Sequence, residues 1–321
     1  RDWSSDVCSS DLAISTDSSY QPSRSKLICS SVTECIDEML VFHILDHLRP
    51  TATGLDGLPA WFLRLGAPVF AAPIAQLFNE SLNTCTVPKQ WKQAIITPIP
   101  KIPHPSLPSQ YRPISITPVL SRVMEKHIVK TYIYPSLLLP PSELYFQDQF
   151  AFRPTGSTTA ALIAILQATC DMLNSHPYVH LFALDFSKAF DTVRHSTLLE
   201  KLAKLDLPDE AYNWMKDFFD GHSHCTRFAG AISPLIEIST SVIQGSAIGP
   251  ASYIVNASDL CSIGAENKLF KFADDTYLLI PGGNSHTCVT ELKHVSDWAA
   301  VNNLELNQTK SLEIAPGIYK Y

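Results

Sequence analysis

The sequence predicts an α+β fold in which helices dominate the first half and short strands mix with helices in the second. Early in the chain, apolar residues recur at helical spacing, as at Ile36, Met39, Leu40 and Ile44. Between residues 178 and 280, short β-rich runs alternate with helical segments without a regular β–α–β repeat, which favours α+β. With 321 residues and 45% hydrophobic content, the chain is long enough for a large core and two packed subdomains.

Helical spacing and proline positions define the elements expected in the first half. Residues 53–59 should form a turn, residues 94–100 a short strand and residues 102–109 a proline-rich loop. The expected helices are residues 32–48, residues 61–84 with interruptions near Pro68 and Pro73, residues 118–133, and a helix capped by Ser157 or Thr158 that runs to about Asn174.

The second half is expected to contain shorter elements. Strands are predicted at residues 178–186, 225–228 and 236–239, and helices at residues 197–204, 209–219, 247–260 and 286–301. In residues 268–280, two apolar, aromatic-rich runs flank a pair of adjacent aspartates, which predicts a tight β-hairpin with Asp274 and Asp275 at its tip.

Charge and hydropathy exclude some classes of protein and leave nucleic-acid binding open. The net charge is −7, yet residues 89–153 contain eight lysines and arginines and only three acidic residues. This segment is either a phosphate-binding surface or an ordinary solvated face. No apolar run approaches the roughly 20 residues of a membrane helix, so no membrane partner is expected. The eight cysteines form no C-x-x-C pair, which argues against a zinc or redox motif.

Two acidic sites in strand-like segments suggest a metal centre. Asp274 and Asp275 lie beside apolar surface, where carboxylates are costly unless they are hydrogen-bonded or neutralised by cations. Asp185 follows an apolar strand, 89 residues before Asp274. If the two sites converge, their carboxylates suit Mg²⁺, which also binds substrate phosphates. The alternative interpretation of Asp274–Asp275 is an exposed acidic turn.

Further motifs surround these acidic sites in a fixed order. They are residues 53–57, residues 99–101 with 111–115, residues 149–154 with 156–158, residues 184–191, residues 244–246 with Pro250, residues 272–275, and residues 302–307 with Lys310. In this order and over about residues 50–315, the set resembles the reverse transcriptase domain of non-LTR (LINE-type) retrotransposons. Each motif alone is a weak signal, whereas the ordered set is specific.

The resemblance implies a role for each candidate site residue. Asp185 and Asp274 would hold two Mg²⁺ ions, with Mn²⁺ as an alternative, and Asp275 would complete the acidic cluster. The other implied roles are triphosphate binding by Lys101 and Arg112, exclusion of the sugar 2′-hydroxyl by Phe190, lining of the nucleotide pocket by Gln244 and Gly245, protonation of the leaving pyrophosphate by Lys310, and template binding by Arg153.

The resemblance also implies an architecture. It is an α+β right-hand polymerase core with helical fingers, a palm with an antiparallel sheet, and a truncated thumb. Residues 1–12 resemble a translated sequencing-library adapter, so we expect them to be a scar and the chain to be a fragment. We expect a loosely ordered lead and N-terminal helix in residues 13–49, an N-terminal extension and fingers in 50–176, the palm in 177–316, and the start of the thumb in 317–321.

The implied activity is extension of a DNA primer with deoxynucleotides on an RNA template, in the nucleus or cytoplasm; protein partners are unknown. One alternative is a catalytically inactive remnant that binds RNA, and another is an RNA-dependent RNA polymerase, against which Phe190 argues. Taken singly, Phe190 could be a core aromatic, Lys310 a surface lysine, Gln244–Gly245 an ordinary turn and Arg153 a packing residue. The sequence departs from the family pattern at Ala151, where glycine is usual, and at residues 247–249.

Overall fold

A computed structural model describes residues 35–317 of the chain. The predicted scar at residues 1–12, the loosely ordered residues 13–31 and the part of the predicted thumb beyond residue 317 lie outside the described residues. Within residues 35–317, no helix combines the length and the apolar character that crossing a bilayer requires.

Most of the predicted helices are present, with ends that shift by a few residues. The α-helices of at least four residues are α1 (Glu38–Asp46), α2 (Ala60–Leu65), α3 (Ala67–Asn83), α4 (Val119–Ile128), α5 (Thr158–Ser175), α6 (Ala189–Thr192), α7 (His195–Lys204), α8 (Asp209–Phe219), α9 (Gly249–Asn256) and α10 (Cys288–Val301). Among them, α6 was not predicted. The first turn of α5 begins as predicted, because the Ser157 hydroxyl accepts a hydrogen bond from the backbone N–H of Ala160.

The prediction that Pro73 interrupts the second helical segment was wrong. The chain breaks at Gly66, and Pro68 lies in the first turn of α3, where its missing N–H costs little. Pro73 lies inside α3, and the helix continues through it. The buried side chains of this helix, including Ile74, Phe78 and Leu82, outweigh the roughly 3 kcal/mol that an internal proline costs.

The strands form two larger sheets and one short pair. They are β1 (Gln93–Pro100), β2 (Tyr111–Ile116), β3 (Val179–Leu184), β4 (Phe186–Ser187), β5 (Ser223–Phe228), β6 (Ala231–Ile232), β7 (Ile236–Glu237), β8 (Lys268–Phe272), β9 (Asp275–Pro281), β10 (Glu305–Leu306) and β11 (Leu312–Ile314). Strands β4 and β10 form the short antiparallel pair. Strand β2 was not predicted, because Pro113 lies inside it.

The mixed sheet contains strands from distant parts of the chain. Its order is β2-β1-β5-β6, and β7 also pairs with β5. Strands β1 and β2 are antiparallel, whereas β5 runs parallel to β1 from Gln93 opposite Ser223 to Ile96 opposite Thr226. Hydrogen bonds of one sheet therefore cross the boundary predicted at residues 176–177, and that boundary remains a prediction.

The antiparallel sheet has the order β11-β3-β9-β8 and confirms the predicted sheet type. Strands β8 and β9 form the predicted hairpin, with Phe272 opposite Asp275. Helix α5 covers one face through Ile165, Ala168 and Met172, which pack against Val179 and Leu279. Because both faces are packed, the sheet is a rigid support for the residues at its strand ends.

One continuous apolar core packs the helices against the antiparallel sheet. It includes Leu45 of α1, Phe78 of α3, Trp214 of α8 and Ile280 of β9. The Trp214 indole N–H donates to the Ser81 hydroxyl over 2.9 Å, which satisfies its polar atom inside the core. Residues 35–317 therefore pack as one body, in which the two larger sheets meet at the candidate site.

Candidate active site

The three predicted acidic residues converge at one end of the antiparallel sheet. Strand β3 pairs with β9 so that Leu184 lies opposite Thr276. One residue further along β3 is Asp185, and one residue earlier on β9 is Asp275. The antiparallel register therefore places these two aspartates opposite each other, and Asp274 lies next to them in the hairpin turn.

The pKa values of Asp274 and Asp275 respond to the charge of Asp185, as expected of neighbouring carboxylates. Burial raises the pKa of Asp274, and the negative charges of Asp275 and Asp185 raise it further. Burial also raises the pKa of Asp275, again with a contribution from the charge of Asp185. Like charges that repel one another in a half-buried place are relieved by protonation or by a cation.

These carboxylates fit a divalent cation, although they do not form a closed cage. Among residues 35–317, no three His, Cys, Asp or Glu side chains are arranged so that they could hold a metal ion by themselves. Mg²⁺ seldom needs such a cage, because one or two carboxylates, waters and substrate phosphates usually complete its octahedron. Burial, with a smaller contribution from neighbouring negative charges, raises the pKa values of Asp274 and Asp275, and a bound cation would stabilise their ionised forms.

Lys310 lies at the edge of the acidic cluster. Its Nζ is 3.7 Å from Oδ2 of Asp185, and its side chain is 69% exposed. The turn that carries Lys310 is attached to Asp185, because the backbone N–H of Asn307 donates to the Asp185 carbonyl over 2.7 Å. A long, exposed lysine tethered in this way can reach a group bound beside Asp185.

Two cations of the mixed sheet face this end of the antiparallel sheet. Arg112 lies on β2, and its charge lowers the pKa of Asp274 against the larger effect of burial. Lys101 follows β1, donates from Nζ to the Ser109 carbonyl over 3.0 Å, and is exposed. The charge of Lys101 reaches Asp191, where it opposes the rise in pKa that burial causes.

The loop around Gln244 and Gly245 connects helix α6 to strand β2. The Gln244 side chain donates from Nε2 to Oδ1 of Asp191 over 2.8 Å. The backbone carbonyl of Gln244 accepts a hydrogen bond from the backbone N–H of Ser115 in β2. Gly245 has φ +118°, and a Cβ at this position would lie 2.2 Å from the Ser115 carbonyl oxygen. Only glycine allows this loop to lie against β2.

Phe190 is held between two aromatic rings. Its ring stacks on Tyr253 with centroids 4.4 Å apart and an interplanar angle of 17°. Phe152 contacts Phe190 edge-on, with centroids 6.4 Å apart. Tyr253 is buried, and burial together with the charges of Asp274 and Asp275 raises the pKa of its hydroxyl. The Phe190 ring is therefore close to the acidic cluster and only partly buried.

The Arg153 side chain forms hydrogen bonds with nearby backbone carbonyls of its own chain segment. Its Nη1 donates to the carbonyls of Phe146 and Gln149. This position matches the packing alternative, and template binding by Arg153 remains a prediction. Alanine in place of the usual glycine at residue 151 causes no backbone strain, because Ala151 does not adopt a positive φ.

Sequence reasoning missed several residues that shape the site. Asp191 lies in a predicted motif, but its bond to Gln244 depends on tertiary structure. Buried Glu125 of α4 accepts from the backbone N–H groups of Ala247 and Ile248, which orders the turn before α9. A buried acid on a helix whose other buried residues are mostly apolar was the available signal for Glu125.

An antiparallel sheet with acidic residues at one strand end, beside a second sheet that carries Lys101 and Arg112, is the arrangement expected of a nucleic-acid polymerase. Residues 99–318 match the family described as "Reverse transcriptase (RNA-dependent DNA polymerase)". The chain belongs to this reverse transcriptase family, whose members are nucleotidyltransferases that generally use divalent metal ions.

Related sequences come from mobile elements of insects. The chain is 29% identical over 247 residues to the "Probable RNA-directed DNA polymerase from transposon X-element" of Drosophila melanogaster, covering 74% of this chain and 27% of that protein. It is 28% identical to the "RNA-directed DNA polymerase from mobile element jockey" of the same species, covering 75% and 27%. The chain thus spans about a quarter of the length of these relatives.

Solved structures confirm the fold class. A telomerase from Candida tropicalis, solved with a fragment of telomeric RNA, superposes with a TM-score of 0.52 at 13% identity. The match covers 72% of this chain and 42% of the telomerase chain. At this identity the similarity establishes the fold, and it confirms the predicted α+β core with fingers and palm.

Proposed function

We propose that the protein is an RNA-directed DNA polymerase that extends a DNA 3′-hydroxyl with deoxynucleotides on an RNA template. The main support is the convergence of Asp185 with Asp274 and Asp275 beyond the paired residues Leu184 and Thr276, since carboxylates brought together in this way suit a divalent cation. Membership of the reverse transcriptase family supports the reaction class. An RNA template, a DNA primer and deoxynucleotides are the partners in this proposal.

In this proposal, Asp185, Asp274 and Asp275 would hold two Mg²⁺ ions. Bound Mg²⁺ would stabilise negative charge on the attacking oxygen and on the leaving pyrophosphate. Arg112 and Lys101 would bind the triphosphate, because the charge of Arg112 acts on Asp274 and the charge of Lys101 acts on Asp191 in the same region. This division of labour orients the nucleotide between two sheets that are already ordered.

Lys310 would give a proton to the leaving pyrophosphate. It lies 3.7 Å from Asp185 and is mostly exposed, so it can turn from the carboxylate towards a bound phosphate. Gln244 and Gly245 would line the nucleotide pocket from the loop beside β2. Phe190 would exclude the 2′-hydroxyl, since Tyr253 and Phe152 fix its ring.

The proposal is tested by primer extension with the Asp274→Asn variant. The substitution keeps the size of the side chain and removes one charge from the cation site. We expect extension of a DNA primer on RNA to fall at least about 100-fold, the loss typical of removing one electrostatic catalytic group. Asp297→Asn is the matched control, because Asp297 is exposed on α10 and, among residues 35–317, pairs only with Lys293 in the preceding turn.

Binding is measured in parallel by fluorescence anisotropy with a labelled RNA–DNA duplex. Retained binding with lost extension in Asp274→Asn supports the catalytic proposal. A wild-type protein that binds the duplex but extends no primer would instead be the catalytically inactive RNA-binding remnant. Equal use of ribonucleotides and deoxynucleotides would favour the RNA-dependent RNA polymerase and contradict the role of Phe190.

A further inference from the structure

The turn that carries Asp274 is strained. Strand β8 ends at Phe272 and β9 begins at Asp275, so only Ala273 and Asp274 connect them. Ala273 has φ +56° and is buried. A left-handed residue with a Cβ costs about 1–2 kcal/mol and persists only where its surroundings impose it. Some neighbouring group must therefore hold this turn.

That group is the side chain of Gln149. Its Oε1 accepts a hydrogen bond from the backbone N–H of Ala273 over 3.0 Å. The same oxygen accepts from the N–H of Ala151, also over 3.0 Å, so Gln149 is fixed from both sides. Gln149 is 2% exposed, which shields both bonds from competing water.

The backbone around Gln149 is attached to the hairpin as well. The N–H of Phe150 donates to the Lys271 carbonyl over 2.8 Å, and the N–H of Lys271 donates to the Asp148 carbonyl over 2.7 Å. Gln149 thus pairs in parallel with Lys271 along the outer edge of β8. The position of the Gln149 side chain is therefore defined relative to the turn that it contacts.

A buried ion pair anchors this edge to the end of α9. The Nζ of Lys271 lies 3.0 Å from Oδ2 of Asp148, and both side chains are buried. The same Nζ donates to the carbonyls of Ala257 and Leu260, each over 2.8 Å. Three segments of the chain therefore meet behind Asp274, and none of these contacts uses the candidate cation-binding oxygens.

We propose that Gln149 is a positioning residue, which holds Ala273 in its left-handed conformation and thereby fixes the direction of the Asp274 carboxylate. This inference rests on the proposed polymerase function and adds to it. Without the Gln149 acceptor, the Ala273 N–H is left buried and unpaired, and the turn relaxes. Asp274 then faces Asp185 in the productive geometry for only part of the time.

The test uses Gln149→Met, which keeps the length of the side chain and removes the acceptor. A buried donor left unpaired typically costs enough to lower kcat about 10- to 100-fold. The KM for deoxynucleotide should stay within about twofold, and the Mg²⁺ concentration for half-maximal rate should rise. Gln167→Met is the matched control, since Gln167 is exposed on α5 and bonds only Asp171 among the described residues.

Rescue by Ala273→Gly separates positioning from general damage. Glycine adopts positive φ without a Cβ penalty, so the Gln149→Met/Ala273→Gly double variant should recover at least roughly fivefold in kcat. Gln149→Asn, whose shorter amide cannot reach the turn, replaces Gln149→Met if the latter does not fold. Absence of rescue, or unchanged kcat and Mg²⁺ dependence in the single variant, would overturn the proposal.

Amide hydrogen exchange across residues 268–280 supplies a readout that needs no activity. The Ala273 amide should be protected in the wild-type protein and should exchange at least about tenfold faster in Gln149→Met. The Tm of the protein should be the same in both. Equal protection in both proteins contradicts the proposal. A wild-type protein that extends no primer contradicts the proposed function alone, because the exchange measurement still tests Gln149.

Discussion

The two larger sheets carry opposite charges and hold them differently. In the antiparallel sheet, Asp274 and Asp275 lie on a two-residue turn between paired strands, where burial and mutual repulsion raise their pKa values. In the mixed sheet, Lys101 and Arg112 are exposed near strand ends. The comparison suggests that the acidic side is rigid before any substrate arrives, whereas the basic side can adjust to a bound phosphate.

The largest difference between the sheets is expected in their ion pairs. Lys271–Asp148, at the antiparallel sheet, is almost fully buried, whereas Lys92–Asp217, beside β1, keeps 12% and 26% of its side chains exposed. Lys271→Met should lower the free energy of unfolding by about 3 kcal/mol, because it leaves a buried acid without its partner. Lys92→Met should cost about 1 kcal/mol or less. Urea unfolding of both variants measures the difference. An equal loss of unfolding free energy in the two variants would contradict the proposal that the acidic side is more rigid than the basic side.

A smaller effect, confined to substrate binding, is expected on the basic side. Arg112→Ala should raise the KM for deoxynucleotide about tenfold with little change in kcat, since one charge-assisted contact to phosphate is lost. The KM of Arg112→Lys should lie between those of the wild-type protein and Arg112→Ala, because lysine keeps the charge and loses the bidentate geometry. Arg227→Ala is the control, as Arg227 is exposed on β5 of the same sheet. A drop in kcat at unchanged KM would show that the basic side is also preorganised.

The smallest effect is expected in the pH dependence of stability, and it arises from a histidine beside the mixed sheet. His222 precedes β5, is fully buried, and neither ring nitrogen has a hydrogen-bond partner in the described chain. Burial lowers the pKa of His222 to about 3, and the charges of His195, Lys92 and His224 act in the same direction. The unfolded chain, with an ordinary histidine pKa near 6.5, therefore binds a proton between these values while the folded chain does not.

Stability should consequently fall as the pH drops below about 6.5. The Tm of the wild-type protein should decrease between pH 7.5 and pH 5.5, and His222→Met should flatten this dependence because it removes the titrating group. His286→Met, at an exposed position, should leave the slope unchanged. If the His222 variant keeps the wild-type slope, acid sensitivity arises elsewhere.

Local patterns predicted the elements that depend on their own residues. The hairpin of β8 and β9 and helix α8 appear where apolar periodicity placed them. Carboxylates beside apolar runs predicted Asp185, Asp274 and Asp275 as a metal site, and the family resemblance added Lys101 and Arg112. Strand β2 and the continuation of α3 through Pro73 were missed, because tertiary contacts there outweigh local proline preferences.

The contacts that support the site could not be found from the sequence. Gln149 contacts a turn more than 120 positions further along the chain, and no periodicity links the two. Tyr253 was assigned to a helix, but its stacking on Phe190 depends on how that helix packs. Polar residues buried by distant segments carry a weak local signal, so the partners appear only in three dimensions.

The parallel pairing of β5 with β1 affects how the chain can be divided. Strand β5 lies in sequence between Asp185 and Asp274, yet it completes the sheet that begins at β1. Cutting the chain near residue 176 would separate β1 from its neighbour, and neither piece would contain a complete mixed sheet. Two such fragments should become soluble only when they are produced together and reassemble, so the polymerase core behaves as a single cooperative folding unit.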